Sequence, residues 1–442
     1  MDVTSRMRHL RGPVALVATG ALALAACSSG GGGGSGDSAD SLVVWFPGTN
    51  QTEIDLVTDV IVPQFEEETG VEVEVTFADW GDLSTKLSAA FAAGTAPDVF
   101  GHGPAAIADY AVNERVEPLD GYVAQLDPDD VEDLSSALPG GQVDGVQYLI
   151  PLSMQGNMFI YDAEMFADAG LDPDAPPSTW EEIYEAAEAL TVRDASGTVT
   201  RSGLLLPTHP VGTQQSFANL LLAAGGDQLS PDGTQAAFNS PEGEQALRLL
   251  VDMYSGEEPV ATGLGANFMD AAAAQQPIVT GDAAIMMTVA PRATDIMAAA
   301  PDRDFRILPV PRFESADSGH ALGGAGAGLM ISSDSPDKDL AWQFIEYMID
   351  PGTSEQYTEG IGAVPTRMSA VQGEYAQSSP VVQAWLEALP QFTANPNVPG
   401  WVQARDTMAT YLEGALRGQA TPEDTLTEME TAVNDVLAAA RP

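Results

Sequence analysis

Cysteine is almost missing from this chain of 442 residues, with Cys27 its only representative. A single thiol closes no internal disulfide, so the folded body stands on its core and not on covalent staples. Lysine is nearly as scarce, at Lys86 and Lys338, and 17 basic residues face 64 acidic ones for a net charge of −47. A field of that sign repels nucleic acid and anionic headgroups, which argues against both as partners. Beyond residue 26 there is no run of 18 apolar residues, so nothing later in the chain enters a bilayer. The folded body has no G-x-S-x-G elbow, no phosphate-binding G-x-x-x-x-G-K-[ST] loop and no H-E-x-x-H pair. His102, His209 and His320 stand far apart without metal-ligand spacing. The expectation is a protein with no cofactor, no metal and no catalytic residues, whose length carries a prior of two or three domains.

The amino-terminal end is informative. Arg6, Arg8 and Arg11 precede an apolar stretch from Val14 to Ala26, the pattern of an export signal and too short to span a bilayer comfortably. Leu24-Ala25-Ala26-Cys27 resembles the bacterial lipobox, which implies cleavage before Cys27 and a lipid on its sulfur. The alternative is an incidental cysteine near an ordinary cleavage site. Ser28 to Asp40 are nearly all Gly, Ser and Asp, a flexible coil that gives a thiol nothing to pack against. Such a coil reaches about 20 Å. Residues 1–26 are therefore expected to be a lipoprotein signal and 27–40 a lipidated tether.

The rest reads as alternating strands and helices. Leu42 to Phe46 is a short apolar run stopped by Pro47-Gly48, and Ile54, Val57, Ile61 and Phe65 recur at helical spacing before Gly70. Val71 to Phe77 alternates with period two, a strand with one face buried. A helix from Asp82 to Ala93, stopped by Gly94, leads to the strand Pro97 to Phe100. Strand, helix, strand, helix, strand implies an α/β layer with a largely parallel sheet. Thr179 and Glu182 have capping-box spacing, and Ser240-Pro241, Ser335-Pro336 and Thr421-Pro422 pair a hydroxyl cap with a first-turn proline. The stretch Gly323 to Gly328 lacks a dinucleotide register; its missing Cβ atoms admit either another segment or a ligand.

The segments "LVVWFPGTN", "FEEETGVEVEVTFADWGDLSTKLSAAFAAGTAPDVF", "IPLSMQGNMFIYDAEMFADAGL" with "STWEEI", "NLLLAAGGDQL", "ALGGAGAGLMISSDSPDKDLAWQFIEYMI", "GAVPTR" and "NVPGW" follow in an order and spacing that resembles the extracytoplasmic solute-binding proteins of ABC importers. Within them the match is to the carbohydrate-binding family that includes the maltodextrin binders. The resemblance implies a two-lobe, periplasmic-binding-protein-like α/β fold of the Venus-flytrap type, each lobe a mainly parallel sheet flanked by helices. Lobe one would comprise residues 41–152 and 319–350, and lobe two 153–318 and 351–442.

In such a fold a ligand binds beyond the carboxyl ends of the parallel strands. Trp180, Trp342 and Trp385 lie in helical patterns and are expected in the core, whereas Phe46, Trp80 and Trp401 lie at strand or loop ends, where a ring can cover the apolar face of a pyranose. The family pattern adds Thr49 and Asn50 after the first strand, and His102 after the third, with a surface imidazole as its alternative. It also adds Gln155, Asn157, Gln214, Gln215 and Phe217, the N–H of Gly324, and Arg367, for which a plain salt bridge is equally open. One departure stands out. After "AAIMMTV", where maltodextrin binders carry a stacking tryptophan, this chain has Ala290-Pro291-Arg292, which puts a long stacked glucan in doubt and leaves a mono- or disaccharide or a polyol phosphate.

The resemblance thus implies a monomeric receptor, lipid-anchored on the extracytoplasmic face of the cell membrane, that captures a sugar and passes it to the transmembrane subunits of an ABC permease without chemistry. A receptor for a polyol phosphate or glycerophosphoester, a peptide receptor, and an anchored glycoside hydrolase are the alternatives.

Overall fold

A computed structural model describes residues 41–269 and 271–441. The expected signal, Cys27 and tether, residues 1–40, lie outside the described residues.

The chain opens on β1 (Ser41–Pro47), which pairs in parallel with β2 (Glu72–Ala78) and β3 (Val99–His102). A short hairpin, β4 (Gln142–Val143) with β5 (Val146–Gln147), precedes β6 (Ile150–Pro151). Then come β7 (Met154–Gly156), β8 (Met158–Asp162) and the two-residue β9 (Val192–Arg193). Further along come β10 (Val199–Leu205), β11 (Ala283–Thr288) and β12 (Phe305–Leu308). The last are β13 (Ala321–Ala325), β14 (Gly328–Ile331) and β15 (Phe392–Thr393). They form two five-stranded sheets, in the orders β2-β1-β3-β14-β6 and β12-β8-β11-β10-β9, and a small sheet β15-β13-β7 between them.

Both sheets are mixed, which corrects the expectation of mainly parallel ones. β14 runs antiparallel to β3 and β6, and in the second sheet only β10 and β11 are parallel. The cause is connectivity. β14 rejoins the first sheet after the chain has visited the second and enters against β3, whereas in the second sheet β8 is laid down first and β11 and β12 turn back against it without leaving that sheet.

Each sheet has its own core. Leu42, Val44 and Phe46 alternate along β1 onto one face, where Phe46 stacks on Phe77 at 5.4 Å and meets the edge of Phe344 at 6.5 Å. Full burial of such a ring is worth about 1.5–3 kcal/mol. The second core gathers Trp180, Phe217, Leu221, Trp401, Leu412 and Leu437. Trp180, Trp342 and Trp385 are all buried, as their helical spacing suggested. The expected lobe boundary at residue 350 falls too early. Tyr357, Ile361 and Ala363 pack into the first core, and Arg367 and Ser369 bond to Asp133, so the chain stays with the first sheet to near Val371.

Local signals placed the elements well. Gly70 and Gly94 end their helices in left-handed conformations (φ 77° and 65°), and the Thr179/Glu182 capping box is formed. Ser240 and Thr421 cap as expected. Ser335 does not: its hydroxyl donates to Asp98 at 2.7 Å, and Asp337 caps the Lys338–Ile349 helix instead.

The two sheets are joined through the small one. β7 lies between β6 of the first sheet and β8 of the second, and β13 between β12 of the second and β14 of the first; the two pair antiparallel, Gly323 opposite Gly156. Met154 bridges to Val364 on a third segment. Phe392 lies flat on this ribbon: a Cβ added to Gly156 would come within 2.2 Å of its ring, and one on Gly323 within 2.5 Å. The Trp385 indole N–H donates to the Gly156 carbonyl at 2.7 Å. The glycine-rich stretch therefore admits another protein segment.

Gly156→Ala should cost about 1–3 kcal/mol in urea unfolding through overpacking against Phe392. The double variant Gly156→Ala/Phe392→Ala should be less destabilised than the sum of the two single changes. Strict additivity would show that the ring does not press on the ribbon.

Candidate functional site

The carboxyl ends of β1, β2 and β3 open onto one edge of the first sheet, where Pro47, Ala78 and His102 end their strands. The Gly48 N–H donates to the Ala78 carbonyl at 2.7 Å, so the first two strand ends remain tied beyond their ladder. Trp80, two residues past β2, leans over this turn: a Cβ on Gly48 would lie 3.1 Å from its Nε1. It is 43% exposed, an unusual state for so large a ring. Its other neighbour is His102, edge-on at 6.0 Å between centroids.

His102 is buried, and both ring nitrogens are occupied. Nδ1 accepts from the Gly103 N–H at 2.8 Å, which leaves Nε2 to donate to Ser84 Oγ at 3.0 Å. Burial foremost, then the positive charge of Arg405, lowers its pKa to about 4. The imidazole is neutral at pH 7 and acts as a brace for Trp80 and not as a free ligand contact. That corrects the expectation for His102.

The second sheet presents the ends of its parallel pair β10 and β11. After β10, the buried Thr208 accepts from the Gly265 N–H at 2.9 Å, and Tyr254 donates its hydroxyl proton to the Leu206 carbonyl at 2.6 Å. After β11 comes the helix Ala290–Ala299, which carries Arg292 and Asp295, 3.7 Å apart. Burial raises the Asp295 pKa above the usual carboxylate range, against the pull of Arg292 and Asn50. Asn50 stands on the first sheet. Its Oδ1 accepts from the Thr52 N–H and starts the Gln51–Leu56 helix, while its Nδ2 donates to Asp295 at 3.4 Å. Thr294 likewise donates to the Gly362 carbonyl at 3.3 Å. Where a stacking aromatic was missed in the sequence, this chain places an ion pair that bonds across to the facing sheet.

The expected site residues divide into two sets. Thr49, Asn50 and Trp80 sit at the strand ends of the first sheet with surface to offer. Gln155, exposed, and Asn157, half-buried, lie on the connecting ribbon, where Gln155 is opposite Gly324. Gln215 is half-buried on the Pro210–Ala223 helix and binds Asn219 through its carbonyl. The remaining five polar and aromatic candidates are interior. Phe46, Phe217 and Trp401 are at most 1% exposed and fill the two cores, so their faces are already covered. Gln214 is fully buried and donates to Gln228 at 2.7 Å. Arg367 has all three guanidinium nitrogens engaged by Asp130, Asp133 and the Ile349 carbonyl, which settles its alternative in favour of the salt bridge. Position after a strand said that these residues were near an end but not which way they point. Asp295 and Arg405 were missed, and no local motif marks them, whereas Arg292 stood out in sequence only as a departure from the maltodextrin binders.

Cavity size does not single out this edge. A groove of 780 Å³ runs between the Leu83–Ala93 helix and the start of the Trp401–Leu416 helix and shares none of the strand-end residues above. The convergence of strand ends from both sheets is the stronger indication.

Known proteins share the fold. Residues 48–355 match the family of bacterial extracellular solute-binding proteins. A solute-binding protein of an ABC transporter from Thermotoga lettingae, bound with alpha-D-tagatose, is 26% identical, covers 90% of this chain and 100% of its own, and superposes with a TM-score of 0.80. The cyclic alpha-maltosyl-1,6-maltose binding protein of Arthrobacter globiformis is 26% identical over 90% of this chain and 99% of its own, with a TM-score of 0.72. The diacetylchitobiose binding protein DasA of Streptomyces coelicolor is 22% identical across 91% of both chains.

The brace at His102 predicts a pH effect. Its imidazole takes up a proton near pH 6.5 when unfolded and only near 4 when folded, so stability is lost as pH falls through that window, by about 3 kcal/mol in all. Glu53, which burial pushes from 4.5 to about 7 against its bond from Tyr357, titrates in the opposite sense. The quantity to measure is therefore the stability gap between wild type and His102→Gln. It should shrink or reverse by about 2–3 kcal/mol from pH 7 to pH 4.5; a gap constant with pH would mean an ordinary, solvated imidazole.

Proposed function

The chain belongs to the bacterial extracellular solute-binding proteins, and on that footing we propose that it holds a small neutral carbohydrate between its two sheets and delivers it to an ABC permease. The observation that carries this is the meeting of polar strand ends across Asn50 and Asp295, beside the exposed face of Trp80. A sugar ring has apolar C–H faces and a polar rim, and an indole with amide side chains around it suits both. Gln155, Asn157, Thr49 and the backbone of Gly324 are the remaining contacts we assign to it.

Charge favours a neutral ligand over the phosphoester alternative. Arg292 is paired with Asp295, Arg405 with Asp406, and Arg367 is buried against Asp130 and Asp133. His102 is uncharged at neutral pH. A phosphate would have to break one of these pairs while entering the field of a chain with net charge −47. A hydrolase needs two carboxyl groups facing a common bond; Asp295 is committed to Arg292 and Asn50 instead. Binding would favour the closed form because the ligand touches both sheets at once. Outside the described residues, Cys27 supplies the lipid anchor in this proposal, and the receptor works as a monomer on the extracytoplasmic face.

Thermal unfolding with D-tagatose, maltotriose, mannobiose, diacetylchitobiose, sn-glycerol 3-phosphate and a tripeptide tests the ligand class. One or more neutral sugars should stabilise the protein, by about 2.7 kcal/mol at 100 times the dissociation constant. Stabilisation by the phosphoester or the peptide alone would overturn the assignment, and cleavage of a sugar during incubation would replace it with the hydrolase.

The anchor is tested by cell fractionation. Full-length protein should sediment with membranes, and Cys27→Ser should appear in the soluble extracytoplasmic fraction. Equal membrane retention of the two would remove the lipid from the account.

A further inference from the structure

The Trp401–Leu416 helix begins without any of the usual local support. Its N-cap is Gly400, which has no side chain and a φ of 84°, and its first turn holds no acidic residue. Several other long helices carry their own caps, at Thr179, Ser240, Asp337 and Thr421, while Pro210–Ala223 and Leu83–Ala93 also start without a side-chain cap. Four N–H groups at a helix start need acceptors, and the partial positive charge there favours a carboxylate. Here the acceptor comes from the other sheet. Asp109 lies in the Ile107–Val112 helix, which follows the His102 strand end, 291 residues earlier in the chain. Its Oδ1 accepts from the Gly400 N–H at 2.5 Å.

Neighbouring contacts cross at the same place. The Ala108 N–H donates to Asn397 Oδ1 at 2.9 Å, and Asn397 Nδ2 donates to the Gln142 carbonyl at 3.1 Å. Ala105, from the first-sheet side, packs against the second core, while Val402 packs against the core around Phe100 and Tyr110. The capped helix also carries Arg405, whose charge acts on His102, the brace of Trp80. A residue that fixes the start of this helix therefore fixes one sheet against the other beside the strand-end site.

We propose that Asp109 is a positioning residue for closure: by capping the Trp401–Leu416 helix from the opposite sheet, it latches the two halves together and slows ligand escape without touching the ligand. The proposal rests on the two-lobed receptor reading for its consequence on binding, but not for the latch itself.

The test compares full-length wild type, Asp109→Ala, Asp109→Asn and Ser240→Ala. The last removes the cap of the Pro241–Ser255 helix, which is built on the second core alone. Small-angle scattering without ligand should show a larger maximum dimension for Asp109→Ala than for wild type. Asp109→Asn should lie between, because its amide oxygen still accepts from Gly400 but carries no charge. Ser240→Ala should lower the melting temperature with wild-type scattering. For a sugar that stabilises the wild type, dissociation should be about five- to tenfold faster from Asp109→Ala, the effect of losing one cap. If Asp109→Ala and Asp109→Asn scatter as wild type does while melting earlier, as Ser240→Ala does, Asp109 is only a local cap and the latch is wrong. The scattering needs no ligand, so its outcome is independent of whether any sugar on the panel binds. Should Asp109→Ala fail to fold, Asp109→Asn carries the same comparison.

Discussion

The antiparallel pairing of β7 with β13 is the constraint on which the rest of the molecule depends. Two sheets with separate cores can address one ligand only if the chain passes between them without filling the space it crosses. Gly156 and Gly323 meet that demand, since their backbones approach Phe392 more closely than any Cβ would permit. Trp385 pins the Gly156 carbonyl, and Val364 ties a third segment to Met154. With the ribbon fixed, the carboxyl ends of β1 to β3 and of β10 and β11 are brought to a common junction, and Asn50 and Thr294 bond across it. The site is a product of the crossing and not of either sheet alone.

The elements were legible because their signals are short-range. A glycine that ends a helix, a threonine three residues before a glutamate, and apolar residues alternating in a strand each act within a turn or two. Ser335 shows the limit: its place before a proline marked a cap, but the carboxylate of Asp98, distant in sequence, takes its hydroxyl first. The same limit separates Trp80 from Trp401. Both stand at the end of an element, but Trp80 leans on Gly48 and His102 and stays 43% exposed, whereas Trp401 is enclosed by the second core. Arg367 was equally undecided in sequence, since nothing local reveals that Asp130 and Asp133 wait more than 230 residues upstream. The lobe bounds implied by the resemblance to solute-binding proteins put the segment from 351 to Val371 with the second lobe, although its aromatic anchor Tyr357 packs on the first core.

Electrostatics gives the site its character. The chain is strongly acidic, yet the cations near the strand ends are spent on carboxylates: Arg292 on Asp295 and Arg405 on Asp406. His102 is held neutral by burial and by Arg405. What remains exposed is one indole and several amides and hydroxyls, a surface that offers hydrogen bonds and a flat apolar face without net positive charge. Buried polar partners discriminate more sharply than apolar walls, because a ligand that cannot match them leaves them unpaired. The ion pair that stands where an aromatic plate was absent fits the same pattern, with its second function in holding Asn50 of the facing sheet.

The central claim is that a small molecule is held at the junction of both sheets at once. Hydrogen exchange read by mass spectrometry, with and without a stabilising sugar, addresses it directly. The account predicts joint protection of the segments around Thr49 and Trp80, around Gln155, and around Arg292 to Asp295, with the rest of the surface unchanged. Protection confined to one sheet, or to the groove beside the Leu83–Ala93 helix, would contradict it.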